Sequence, residues 1–255
     1  MNRMLYKTTL SLFCIVSTLM LVGCAFPPKL PLDQTAVKNV KKVALIPIRE
    51  SQSITVMDSS IGPLFPNSWN IRDSEAYAAA INAQNVKMAD TLRDTLLVGF
   101  QKKGLDVVVL TDQYPKWSAD GKSYDYSDIK TDADVILQVW FGYTGYFSGA
   151  FKDYQPWLMV HSVLLDAHTK MALYRQSFSA GMKPIVDSIE FIPIEGQIKY
   201  ISSNQLMLRF KESFDQLLQG HQAIARQLML ELKLGAGVCG TDVPQGSCNE
   251  QITSN

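Results

Sequence analysis

Ala133-Asp134-Val135-Ile136-Leu137-Gln138-Val139-Trp140-Phe141 reads as one strand, because β-branched and aromatic residues dominate it and no glycine or proline interrupts it. Downstream, Trp157–Leu165 and Met171–Phe178 read as two more strands, turning through Asp166-Ala167-His168-Thr169-Lys170, so the three form an antiparallel meander. Upstream, Lys42-Val43-Ala44-Leu45-Ile46-Pro47-Ile48 is a short, almost continuous apolar run, as in a strand covered on both faces, with Pro47 near its end or at an edge. Leu105-Asp106-Val107-Val108-Val109-Leu110 is another such run. Between these two, Ile81, Met88, Leu92, Leu96 and Phe100 recur at helical spacing from about Ser74 to Lys103. Ser74 can cap that helix, Lys102 and Lys103 suit its negative end, and Gly104 fits a left-handed stop. Strand, helix, strand implies a parallel pair joined by a right-handed crossover. A second long helix starts at Ser203, carries Leu206, Phe210, Phe214, Leu217, Ile224 and Leu228 on one face, and ends near Lys233-Leu234-Gly235. The expected fold is an α/β (α+β) sandwich: a mixed sheet in the order β-α-β-β-β-α, covered by two long helices, in a single domain over residues 41–234. Residues 49–74 and 112–128 are expected as polar connections.

The N-terminus has the parts of an export leader over residues 1–23. Arg3 and Lys7 supply positive charge, Leu10 to Val22 is apolar apart from Ser11, Ser17 and Thr18, and no acidic residue precedes Asp33. The apolar run has the length of a leader core rather than of a full membrane span. Residues 25 to about 40 hold Pro27, Pro28 and Pro31 without an apolar period, so 24–40 is expected to be an extended tether. At about 3.1 Å per residue it could hold the domain up to roughly 50 Å from its attachment point.

Loss of the leader removes Arg3 and Lys7, turning 24 basic against 24 acidic side chains into 22 against 24. No surplus of positive charge remains to hold nucleic acid, and no nucleic-acid partner is expected. Cys14 lies inside the leader and leaves with it. In the tail, 235–255, Cys239 and Cys248 flank a segment containing Gly240, Pro244 and Gly246. In an oxidising compartment they read as a disulfide, contributing about 2–3 kcal/mol in the chain-entropy model. Metal binding is the rival reading, though the tail holds no histidine.

Leu21-Val22-Gly23-Cys24, at the end of such a leader, resembles the lipobox of bacterial lipoproteins. The resemblance implies acylation of Cys24, palmitate-type chains included, and cleavage before it. Anchoring then follows at roughly 0.8 kcal/mol per buried CH₂. Ala25 stands where an aspartate would signal inner-membrane retention in enteric bacteria, so the resemblance implies an outer-membrane anchor with the domain facing the periplasm. The Val43–Ile48 strand, the Ala89–Gly104 helix, the Ala133–Leu137 strand and the Leu164–Lys170 hairpin turn together resemble the fold shared by the TolB N-terminal domain, the curli-secretion lipoprotein CsgG and the penicillin-binding-protein activator LpoB. These relatives act through surfaces, so the resemblance carries over no catalytic residue.

The sequence itself offers little chemistry. His161, His168 and His221 have no neighbours at a metal-ligand spacing, and Asp134 fits a strand start better than an acidic pair with Asp132. There is no Gly-x-Ser-x-Gly elbow and no phosphate-cradling glycine loop after an early strand. No catalytic residue, cofactor or metal is expected, and the chain is read as not an enzyme. Aromatic residues do concentrate between Trp140 and Trp157: Phe141, Tyr143, Tyr146, Phe147, Phe151 and Tyr154 lie between them, interleaved with Gly142, Gly145 and Gly149. Some of these rings belong to a core. Others, with Tyr143, Tyr146, Phe147, Phe151 and Tyr154 as candidates, are expected at a loop tip that meets a partner or the membrane interface. The expected function is a protein-binding or assembly component of the cell envelope, with homo-oligomerisation open. A subunit of an oligomeric outer-membrane secretion channel and an envelope hydrolase without a recognisable motif remain as alternatives.

Overall fold

The structure, a computed structural model, describes residues 28–59, 68–118, 123–149 and 152–234. The leader, Cys24, Phe151 and the Cys239 and Cys248 pair lie outside those residues. Along the chain the elements are β1 (Lys42–Leu45), β2 (Ile54–Asp58), α1 (Ser68–Asn82), α2 (Met88–Lys102), β3 (Asp106–Val109), β4 (Lys116–Trp117), β5 (Tyr124–Asp125), β6 (Val135–Ser148), β7 (Gln155–Asp166), β8 (Ala172–Ala180), β9 (Ile189–Ile192), α3 (Ser203–Leu208) and α4 (Phe210–Glu231). Seven strands form one mixed sheet in the order β3-β1-β6-β7-β8-β9, with β2 also on β6, while β4 and β5 make a separate hairpin. The class is the expected α/β sandwich. β1 and β3 are parallel, and β6, β7 and β8 form the antiparallel meander.

Strand β6 organises the sheet. Its first half pairs with β1 and its second half with β2, both parallel, while β7 runs along its other edge. The stretch 49–74, expected as a connection, therefore contains a strand and the start of a helix. Ile54 and Val56 face inward and are buried, the alternation of a strand with one covered side. A bulge between Phe141 and Tyr143 shifts the β6 register. Farther along, Gly145 lets β2 approach: a Cβ there would lie 1.8 Å from the Thr55 carbonyl oxygen.

The helix expected from Ser74 to Lys103 is two helices. Ser74 is not a cap but lies within α1, where its Oγ accepts the Val56 N–H at 2.9 Å. The break covers 83–87, where Asn85 and Val86 are weak helix formers. Lys87 gives α2 no side-chain cap. Instead Glu50, just after β1, accepts the N–H groups of Met88 and Ala89 at 3.2 and 3.0 Å. The carboxylate satisfies two orphan donors and sits at the positive end of the helix dipole. Glu50→Ala is expected to lower the unfolding free energy by about 1–2 kcal/mol in a urea titration, with Glu50→Gln intermediate. An unchanged midpoint in both would remove Glu50 from the capping of α2. The C-terminal helix is also divided: Ser202 caps α3 by accepting the Gln205 N–H, and Arg209, at φ −110 and ψ 39, separates α3 from α4.

The helices share one face of the sheet. Val43, Leu45, Leu137, Val160 and Phe178 meet Leu92, Leu96 and Phe100 of α2 and Leu217, Ile224 and Leu228 of α4 in the main core. Tyr77 of α1 joins it and donates to Ser213 Oγ at 2.7 Å. On the opposite face Ala44, Ile46, Ile136, Val163 and Leu165 form a smaller core with Leu110 and Ile129 of the segment that precedes β6.

The segment expected as an extended tether is docked from Leu30 onward. Leu30 exchanges two backbone hydrogen bonds with Arg175, both 2.9 Å, and Asp33 N–H bonds to the Leu173 carbonyl at 3.0 Å. Val37 and Val40 are buried. The chain lies beside the part of β8 that β9 leaves uncovered. Three prolines argue against such pairing, but Leu30 sits between Pro28 and Pro31 and supplies the donor that neither has.

Candidate functional site

Alternation along β6 and β7 places Trp140, Tyr143, Phe147 and Trp157 on the face opposite the helices, with His161 across from Trp140 and Met159 across from Tyr143. The Tyr143 and Trp157 rings lie 4.1 Å apart, and Phe147 meets Trp157 edge-on at 5.5 Å. At the other end Trp140 packs on His161 at 5.3 Å and receives the edge of Tyr124 at 5.8 Å. Trp117 stacks on Tyr124 at 4.4 Å and remains 62% exposed. The β4–β5 hairpin thus lays Tyr124 onto the sheet with Trp117 stacked outside it, and Tyr126, just after it, donates its hydroxyl to Gln138 Oε1. Among the described residues no helix covers this face.

The structure separates the candidate aromatic residues. Tyr146 is fully buried on the helix side, packing edge-on against Tyr77 and Tyr200 and donating to the Ser213 carbonyl at 2.9 Å. Tyr154 is buried as well, tied to Tyr200 by backbone bonds in both directions. Both belong to the core and present no contact surface, a correction to their assignment at a loop tip. Tyr143 and Phe147 are half-buried on the open face. Trp117 and Tyr124 were missed because 112–128 reads as a polar loop. The available signal was Asp120-Gly121 between them, a hairpin turn pair.

The polar groups explain structure more readily than chemistry. Asp134 accepts the N–H groups of Lys41 and Lys42, both at 2.8 Å, and so clamps β1 to β6, while Asp132 pairs with the Lys42 ammonium at 2.7 Å. His161 Nδ1 lies 2.7 Å from Ser177 Oγ, directly across the β7–β8 ladder. Both residues are more than nine-tenths buried. Burial pushes the His161 imidazole down to about 4 and leaves it neutral. His221 on α4 is fully buried with its ring edge-on to Phe141 at 4.9 Å, whereas His168 is exposed in the β7–β8 turn. No group of three or more His, Cys, Asp or Glu that could hold a metal occurs among the described residues. No described helix is long and apolar enough to cross a membrane.

Next to the aromatic face lies a cleft of about 110 Å³ lined by Arg49, Tyr114, Tyr124, Gln138 and Trp140, with the Arg49 guanidinium 3.7 Å above the Tyr114 ring. A second cleft of about 220 Å³ lies between α1 and α3. Both are smaller than the roughly 300–1,000 Å³ of a small-molecule site. An Arg held over a tyrosine, with an exposed tryptophan stacked on the neighbouring Tyr124, suits contact with a macromolecular surface.

No family model and no curated protein matches the chain. Solved structures similar to it include a neuraminyllactose-binding hemagglutinin homolog from Helicobacter pylori, at 15% identity over 82% of this chain and 89% of that one, with a TM-score of 0.36. A minor lipoprotein from Acinetobacter baumannii is 11% identical over 75% and 94%, with a TM-score of 0.32. The PelC dodecamer from Paraburkholderia phytofirmans is 14% identical over 76% and 95%, with a TM-score of 0.28. Lipoproteins are thus among the similar structures, and at these values what each one binds or assembles into stays with that protein.

Proposed function

We propose that this chain is a non-catalytic lipoprotein of the bacterial cell envelope, acylated at Cys24 in the outer membrane and binding an envelope protein through the aromatic face of its periplasmic domain. The observation that carries the reading is the charged and apolar leader ending in Leu21-Val22-Gly23-Cys24. The face supports it: exposed Trp117, half-buried Tyr143 and Trp157, and the stacked Arg49 are the residue types that dominate protein interfaces.

Cys24→Ser is expected to abolish acylation and move the protein out of the membrane fraction. Mass spectrometry of the mature N-terminus and fractionation read this directly, and an unchanged distribution would withdraw the anchor. Cross-linking in intact cells is expected to recover a partner. Trp117→Ala should reduce that recovery by about 30-fold, a hot-spot loss of about 2 kcal/mol. Since this ring is mostly exposed, the same substitution should leave stability within about 0.5 kcal/mol. Recovery of the lipoprotein alone would count against the partner-binding role.

A further inference from the structure

The docked N-terminal segment leaves the domain beside β9, and the loop that leads into β9 presents apolar side chains to solvent. Leu30 is bonded to Arg175 and the Lys29 ammonium lies 3.5 Å from Glu190, in β9. The loop leading into β9, 181–188, carries Ile185, fully exposed at 101%, and Val186 at 42%. This loop is braced. Gly181 starts it at φ 84, where a Cβ would meet the Pro156 carbonyl oxygen at 2.2 Å. Ser179 Oγ donates to the Met182 carbonyl at 2.9 Å, and Ile189 N–H closes a turn onto Val186 at 3.1 Å. A single exposed isoleucine on a protein surface is ordinary. Its position relative to the anchor is what gives this one meaning.

Five residue steps separate Cys24 from Lys29, and an extended chain covers at most about 18 Å over that length. Acyl chains inserted at Cys24 therefore keep the Lys29 backbone within that distance of the lipid, with β9 one Lys29–Glu190 ion pair beyond it. We propose that the 181–188 loop is the surface on which the domain rests on the bilayer, with Ile185 and Val186 entering the interfacial layer. The β9 edge of the sheet then faces the membrane, and the β3 edge, five strand spacings or about 24 Å away, faces outward. The occupant is lipid rather than a protein because the leash ends against β9, the strand into which this loop leads. Exposed Lys183 and Asp187 offset each other there, so the contact is apolar and indifferent to headgroup charge. The inference rests on acylation of Cys24.

The test uses the full-length protein in its native membranes, with the photocrosslinker p-benzoyl-phenylalanine in place of Ile185 or, as a control, of Val109 on β3, which is 36% exposed. Irradiation is expected to give a lipid adduct at 185, read by mass, and none at 109. An unacylated N-terminus in the same preparation overturns the anchoring reading and this inference together. An acylated chain with no lipid adduct at 185, with a protein adduct there instead, or with equal lipid adducts at 109 overturns the orientation alone.

Discussion

Gly145→Ala is expected to destabilise the protein by about 3 kcal/mol or more and to release β2 from the sheet. The added methyl group would stand 1.8 Å from the Thr55 carbonyl oxygen and 2.8 Å from its carbon, both backbone atoms that no rotamer change can move. Overpacking alone costs about 1–3 kcal/mol, and a side chain at φ 156 adds backbone strain of similar size. The least costly relaxation separates β2 from the second half of β6, which exposes Ile54 and Val56 and removes the Val56 tie to Ser74 of α1. Urea unfolding reads the total, and amide exchange at Thr55, Val56 and Met57 reads the local event. Gly196→Ala is the contrast. It shares a positive φ, 64, but a Cβ there has nothing within 4 Å, so it should cost only about 1 kcal/mol. Equal effects at the two positions would mean that the close approach of β2 is not what demands glycine at 145.

The same strand shows why part of the molecule could be read from sequence and part could not. β1 and the first half of β6 are covered on both faces, so burial writes itself as unbroken apolar runs, and the β-branched run of β3 marks that strand although it lies, partly exposed, at the sheet edge. β2 is five residues long among serine and glutamine, and its partner lies some ninety positions away. The division between α1 and α2 is invisible to periodicity because Ile81 and Met88 are seven apart, two turns, and stay in phase across the break. Capping of α2 by Glu50 is a tertiary event with no local signature. For the aromatic residues, strict alternation groups Phe141 with Tyr143 and Phe147. The bulge resets that parity, sending Phe141 and Tyr146 to the helix side and Trp140, Tyr143 and Phe147 to the open face. Density of rings was legible, whereas their division between core and surface turned on one irregular residue pair.

Acidification from pH 7 to pH 5 is expected to remove several kcal/mol of stability, and the two buried imidazoles set the sign. Desolvation holds His221 down to about 3, against a weaker pull upward from the Leu217 carbonyl, and holds His161 down to about 4. In the unfolded chain both titrate near 6.5. A base whose folded pKa is depressed takes up its proton only on unfolding. Its contribution is therefore complete above pH 6.5 and declines as the pH falls below that value, until the folded group titrates. At pH 5 each histidine has lost about 2 kcal/mol, or about 4 kcal/mol for the pair. Glu231 runs the other way. Desolvation and the neighbouring Glu190 raise it to about 7, so the folded protein binds its proton more readily and gains stability as the pH falls from 7 toward 4.5. Glu190, held down by the same pairing, runs the opposite way, so the pair of carboxyls returns only part of the loss. His221→Leu isolates the core imidazole, since leucine fills the space against Phe141 without a group to protonate. Urea unfolding at the two pH values should show the variant losing about 2 kcal/mol less than the parent, with little change at pH 7, because leucine gives up only the weak interaction with the Leu217 carbonyl. If the two chains lose the same amount, protonation of His221 is not coupled to unfolding, and the acid sensitivity belongs to other groups.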